Sequence, residues 1–147
     1  MFERVIADLR KIKIDKIALK EFEKMKEEAF DLNTEDQLFS KGIDSKGQSL
    51  GSYAPLSVTL RREAGLPVDR ITTRITGAFH RGWKGNFKRW PVVFDSTDPK
   101  TGELLFQFGE DLFGLTNSSL NKLLDEGLYQ RIQEASAKSF SSALEGL

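Results

Sequence analysis

The sequence predicts an α+β fold: several helices packed on a small antiparallel β-sheet, with long N- and C-terminal helices. Three observations lead there. Apolar residues recur at helical spacing near both ends of the chain. Two aromatic-rich runs, residues 87–94 (FKRWPVVF) and 103–108 (ELLFQF), flank a segment dense in turn formers, which predicts a hairpin over about 87–108. Finally, 147 residues with 39% apolar and 30% charged positions suit one domain with a proper core. Within that single domain, 1–147, residues 1–32 read as an N-terminal helical arm. Residues 33–115 read as the α+β core with a mobile loop at 42–52, and 116–147 as a C-terminal helix.

Phe2, Val5, Ile6 and Leu9 predict a short amphipathic helix over residues 1–11. Ile12 and Ile14 break its phase. Asp15 is then placed to cap a second helix, with Ile17, Ala18, Phe22, Met25, Ala29 and Phe30 on its apolar face. The opposite face, Lys20, Glu23, Lys24, Lys26, Glu27 and Glu28, reads as solvated. Asn33 or Thr34 is positioned to cap a third helix, with Leu38 and Phe39 facing inward and Gly42 ending it in a left-handed conformation. Pro55 suits the first turn of a fourth helix, Gly65 its C-terminal cap and Pro67 its stop. Ile71, Ile75 and Phe79 are spaced by four, and Thr76 would cap a short helix carrying His80, Arg81 and Trp83. Pro91 cannot donate to a ladder and is expected at an edge or a bulge. Residues 110–115 form a connector. Thr116 or Asn117 caps the last helix, about 117–144, which Gly127 interrupts.

Composition removes several kinds of chemistry. The chain has no cysteine, hence no disulfide framework, thiolate zinc site or thiol nucleophile. No apolar run approaches the ~18 residues of a membrane span, and the N-terminal residues lack the apolar core of a secretory signal. Asp95, Asp98 and Glu103 fit no calcium-loop spacing and read as turn chemistry, so no metal or cofactor is expected. The single His, His80, has no nucleophile or carboxylate arranged beside it in sequence, so the chain does not read as an enzyme.

The net charge is zero but unevenly spread. Residues 1–60 carry 10 Lys and Arg against 11 Asp and Glu, residues 61–90 carry 8 against 2, and residues 91–147 carry 4 against 9. A basic middle beside an acidic C-terminal third suits docking between copies of one chain. The interacting surface is therefore placed at Asp44, Lys46, Gln48 and Tyr53 of the 42–53 segment, and at Arg61, Arg62, Arg70, Arg74, His80, Arg81, Trp83, Lys84 and Arg89 of the basic middle. The acidic partners include Glu110 and Asp111. The alternative is a small nucleic-acid-binding protein using the basic, aromatic 61–90 region, with cations on phosphates and indoles on bases.

Three segments in order carry a resemblance. Residues 42–56 run Gly-Ile-Asp-Ser-Lys-Gly-Gln-Ser-Leu-Gly-Ser-Tyr-Ala-Pro-Leu; 75–83 run Ile-Thr-Gly-Ala-Phe-His-Arg-Gly-Trp; 112–120 run Leu-Phe-Gly-Leu-Thr-Asn-Ser-Ser-Leu. Together they resemble the virion-morphogenesis or tail-completion (head–tail joining) proteins of tailed bacteriophages. Tyr53 stands where that family often has Trp. The resemblance implies a structural virion protein of the neck or tail, assembled in the host cytoplasm. It implies a homo-oligomeric ring that contacts neighbouring connector and tail proteins, with no catalysis. DNA contact is compatible with this role but not required by it. The 42–52 loop would order only on assembly.

Overall fold

The computed structural model describes residues 2–74 and 76–145, and of Phe2 only the backbone. Ile75, one of the three residues spaced by four, lies outside the described residues. The fold is α+β, as the sequence predicts, with a two-stranded antiparallel sheet among many helices.

The N-terminal half is a run of helices. α1 (Phe2–Arg10) buries Val5, and α2 (Ile14–Lys24) buries Leu19 and Phe22. The residue at the N-cap of α2 is Lys13, so Asp15 sits inside the first turn, where its charge suits the helix dipole without capping. Met25 (φ −106°, ψ 23°) interrupts the helix, and α3 (Lys26–Asp31) then continues directly into a wide π-helical segment, Leu32–Lys41. Asn33 and Thr34 are thus not caps. They lie inside a continuing helix, because their side chains have buried partners elsewhere and no chain break needs them. The boundary expected at 32/33 vanishes for the same reason: Phe22, Met25, Ala29, Phe30 and Leu32 pack in one cluster with Phe79, Trp83, Phe87, Phe94 and Leu112. Gly42 (φ 61°) does end the segment left-handed. A Cβ there would also stand 2.7 Å from the Ile71 carbonyl oxygen, so only glycine fits.

α4 (Pro55–Glu63) starts on Pro55 and ends before Gly65 (φ 70°), as its sequence signals require. α5 (Ala78–Arg81) has Gly77 at its N-cap position, and Thr76 contributes only a 3.3 Å contact from the Ala78 N–H to its hydroxyl. Trp83 leaves this helix and opens β1 (Trp83–Asn86), which pairs with β2 (Val93–Ser96) in the register Trp83↔Ser96 to Asn86↔Val93.

The hairpin therefore spans 83–96, not 87–108. Residues 87–92, with Pro91, form its connection and make no ladder bonds; Pro91 sits in neither an edge strand nor a bulge. The second run is helical: α6 (Thr101–Phe108). Two local facts explain this. Leu, Glu and Gln favour helix over strand. Asp98 also nucleates the turn, its carboxylate accepting the Lys100 N–H at 2.8 Å and its carbonyl the Thr101 N–H at 3.0 Å. The alternation of Leu104, Phe106 and Phe108 looks like a strand, yet in the helix Leu104 and Phe108 pack against the core while Phe106 is 95% exposed.

After a 3-10 turn (Glu110–Leu112), Thr116 caps α7 (Asn117–Leu123) by accepting the Ser119 N–H at 3.1 Å. Gly127 (φ 143°) kinks the π-helical turn Leu124–Leu128, which leads into α8 (Tyr129–Leu144). α8 packs back on α1 and α2, and no residue along it is fully buried.

Candidate functional site

Residues 42–52 do not await a partner to become ordered. Asp44, buried, accepts the N–H groups of Lys46 and Gln48 through one carboxylate oxygen, each at 2.9 Å. The Asp44 N–H donates to the Gln48 carbonyl, the Leu50 N–H to that of Gly42, and the Ser45 N–H to that of Asp111. Ile43 and Ser49 form an antiparallel bridge. The expected mobile loop is a closed turn whose backbone groups find partners within the chain. Lys46 reaches across to Asp111 at 3.0 Å, and this carboxylate holds the Lys46 ammonium above its usual pKa. The Gln48 side chain is exposed.

The segment after Asp111 is held by two side-chain amides. Asn33 donates to the Leu112 carbonyl (3.0 Å) and accepts the Gly114 N–H (2.7 Å). Gln37 donates to the Gly114 carbonyl (2.9 Å) and accepts the Thr116 N–H (2.9 Å). Both amides are fully buried, and together they act on residues 112–116 as a short strand would. Sequence reasoning missed this staple, because nothing local distinguishes a buried amide from a capping one.

Most of the basic middle is structural. Arg61 is the only buried residue of α4. Its Nε donates to the Pro67 carbonyl (2.9 Å), Nη1 to the Arg74 carbonyl (3.1 Å) and Nη2 to the Thr72 hydroxyl (3.1 Å). The guanidinium lies 4.3 Å from the centre of the Tyr53 ring, and the Tyr53 hydroxyl accepts the Thr72 N–H at 3.0 Å. Arg61 and Tyr53 thereby zip α4 to its own return segment, 66–74. Arg70 then ties that segment to the Phe39 carbonyl (2.8 Å) and pairs with Asp69, whose carboxyl it holds below the ordinary range. Arg74 grips both oxygens of Glu35 (3.1 and 3.0 Å) and covers the Phe39 ring. Lys84 pairs with its cross-strand neighbour Asp95 at 3.3 Å. These cations meet acids, carbonyls and rings of their own chain, which corrects the expectation that they await acids of another copy.

His80 and Trp83 belong to the core, each 8% exposed. The Thr73 hydroxyl donates to the Thr72 carbonyl (2.6 Å), so it accepts from His80 Nε2 (3.0 Å), which assigns the proton to Nε2 and a lone pair to Nδ1. Burial first, then the nearby Arg74 charge, lowers the His80 pKa to about 4, with Glu35 opposing. A neutral, core-packed imidazole bonded to one threonine has no catalytic geometry. Trp83 packs edge-on to Phe79 (5.0 Å) and against Phe113 (4.6 Å).

Seven of the predicted surface residues keep an exposed position: Lys46 and Lys84, each paired with an acid of the chain, and Gln48, Arg62, Arg81, Arg89 and Glu110. Arg81 makes one bond, to the Thr76 carbonyl at 3.0 Å. What the sequence did not single out is apolar. Leu56 and Leu60 of α4 are 72% and 58% exposed and Phe106 of α6 is 95% exposed, all three outside the cleft of about 480 Å³ that Ser57, Arg61, Leu104 and Phe108 help to line. Ile6, Ile14, Tyr129, Phe140 and Leu144 are exposed on the packed α1–α2–α8 layer. Among the described residues no group of three or more His, Cys, Asp or Glu converges as a metal site, and no helix is long and apolar enough to cross a membrane. Comparison with protein-family models, curated proteins and solved structures returned no match.

Proposed function

We propose that this chain is a structural protein of a tailed-phage particle, acting at the neck or tail end as a subunit of a ring that completes or joins the tail. One observation carries the reading most: large apolar side chains stand in water on two separate regions of the chain, helices α4 and α6 (Leu56, Leu60, Phe106) and the α1–α2–α8 layer. Exposed apolar patches of that kind suit contacts with other proteins. Two different faces suit head-to-tail contact, which closes a ring when the rotation allows.

The three segments behind the family resemblance also lie together. The turn at 42–52 bonds to Asp111, residues 112–116 are stapled to Asn33 and Gln37, and Phe113 packs on Phe79 and Trp83. Their shared pattern thus serves the architecture that presents the two faces. The test is deletion of the coding sequence from the phage genome, followed by electron microscopy. Heads and tails that accumulate unjoined are expected. A normal yield of complete, infectious particles overturns the proposal.

A further inference from the structure

We infer that the hairpin connection, residues 87–92, binds single-stranded nucleic acid together with the start of α2. A base stacks on Trp90, and Lys13, Lys16, Lys88 and Arg89 hold the phosphates. The inference goes beyond the assembly role and does not depend on it.

Trp90 is 48% exposed, yet it is held in place. Its ring stacks on buried Phe22, with centroids 6.2 Å apart and planes 25° from parallel. Phe87 braces Phe22 edge-on at 5.3 Å. The Trp90 Nε1–H donates to the Asp15 carbonyl at 3.2 Å, so the indole's one polar group is already bonded. What the side chain offers a partner is a flat π-surface, ordered before the partner arrives.

The same contact gathers cations around the ring. Lys88 and Arg89 directly precede Trp90, and Lys13 and Lys16 lie within two positions of Asp15. Consecutive Cα atoms are about 3.8 Å apart, so each cation is anchored within about 8 Å of the Cα of Trp90 or Asp15. All four are exposed and, among the described residues, none has an ion-pair partner. Asp15 is the single acid in residues 13–16 and 87–92. The nearby Asp8 and Glu21 are paired with Lys11 and Lys24. Arg61, Arg70, Arg74 and Lys84 spend their charge inside the chain; these four do not.

Cations alone suit any anionic partner, and the ring decides among them. An open, pre-positioned aromatic surface beside unpaired cations matches bases and phosphates of an unpaired strand. A bilayer takes up side chains that project into it, whereas this indole lies on Phe22 with its N–H tied to the backbone.

The test is titration of a labelled oligothymidylate of ~16 nucleotides, long enough for one such site. Anisotropy and tryptophan fluorescence are followed between ~50 and ~200 mM salt. The parent is expected to bind with quenching of Trp90. Lys88→Ala/Arg89→Ala is expected to bind at least tenfold more weakly, with a salt slope shallower by about 1.4. Trp90→Leu is expected to bind about tenfold more weakly, without quenching. Lys100→Ala removes an exposed cation past the other end of the hairpin and is expected to bind as the parent does. The alanine pair carries the test alone if Trp90→Leu lowers the Tm, since Lys88 and Arg89 both stand in water. No binding by the parent at ~50 mM salt overturns the inference. So does an equal loss in Lys100→Ala and the alanine pair, or binding to phosphatidylserine vesicles without binding to the oligonucleotide. The assembly role fails separately, in the particle yield of the deletion.

Discussion

Replacing Gln37 with Leu tests whether the buried amides hold residues 112–116. Gln37 is fully buried, and Leu nearly matches its volume, so the cavity term is small. The substitution removes two hydrogen bonds of 2.9 Å and strands the Gly114 carbonyl and the Thr116 N–H. A stranded buried group costs about 1–3 kcal/mol, and these two are only partly buried, which sets about 2–4 kcal/mol for the pair before the apolar gain of Leu. A net loss of about 2–3 kcal/mol follows, or a Tm lower by roughly 5–12 °C for a chain of this size. Urea unfolding measures it directly, the midpoint falling at constant slope. Asn33→Leu is expected to cost at least as much, since its acceptor on Leu112 is buried. A loss under about 0.5 kcal/mol in both variants would refute the staple.

Arg61→Met leaves the Pro67 and Arg74 carbonyls unpaired and is expected to cost about 2–4 kcal/mol. Limited proteolysis should then cut within 64–74, and Arg61→Lys should rescue only part, because an ammonium cannot reach three acceptors in that fork geometry. Parent-like resistance to protease in Arg61→Met would count against the clamp. Glu35→Gln, by contrast, removes a half-exposed ion pair and is expected to cost no more than about 1 kcal/mol in chemical denaturation. The depressed pKa of His80 means the unfolded chain binds a proton that the folded chain refuses between about pH 6.5 and 4. This site's contribution is complete above pH 6.5 and is lost as pH falls through 4, on the order of 3 kcal/mol. His80→Gln should flatten that part of the Tm–pH curve, and identical curves would contradict the assignment.

Signals that act within a few residues were legible in the sequence. Pro55 and Gly65 bound α4, Gly42 ends its helix, Thr116 caps α7 and Gly127 kinks the last helix, each through backbone chemistry that its neighbours cannot override. The α+β class and a small hairpin were also readable, but the hairpin's position was not. Residues 103–108 alternate like a strand, and only the start at Asp98 and their helix propensity tip them into α6. Long-range pairing was invisible. Asn33 reads as a helix cap and Gln37 carries no signal of its own until residues 112–116 arrive beside them, some 80 positions later. Arg61, Arg70, Arg74 and Lys84 read as free charge, because their carbonyl, ring and carboxylate partners are set by folding. The exposed face was hidden by the same error: with residues 103–108 as a strand, Phe106 had no reason to stand in water.

The most direct test of the account is the fraction of joined particles when the deletion is complemented with the parent chain or with Phe106→Glu. The account predicts that the parent restores complete particles, while the folded Phe106→Glu chain leaves heads and tails separate. Equal restoration by both chains would contradict it.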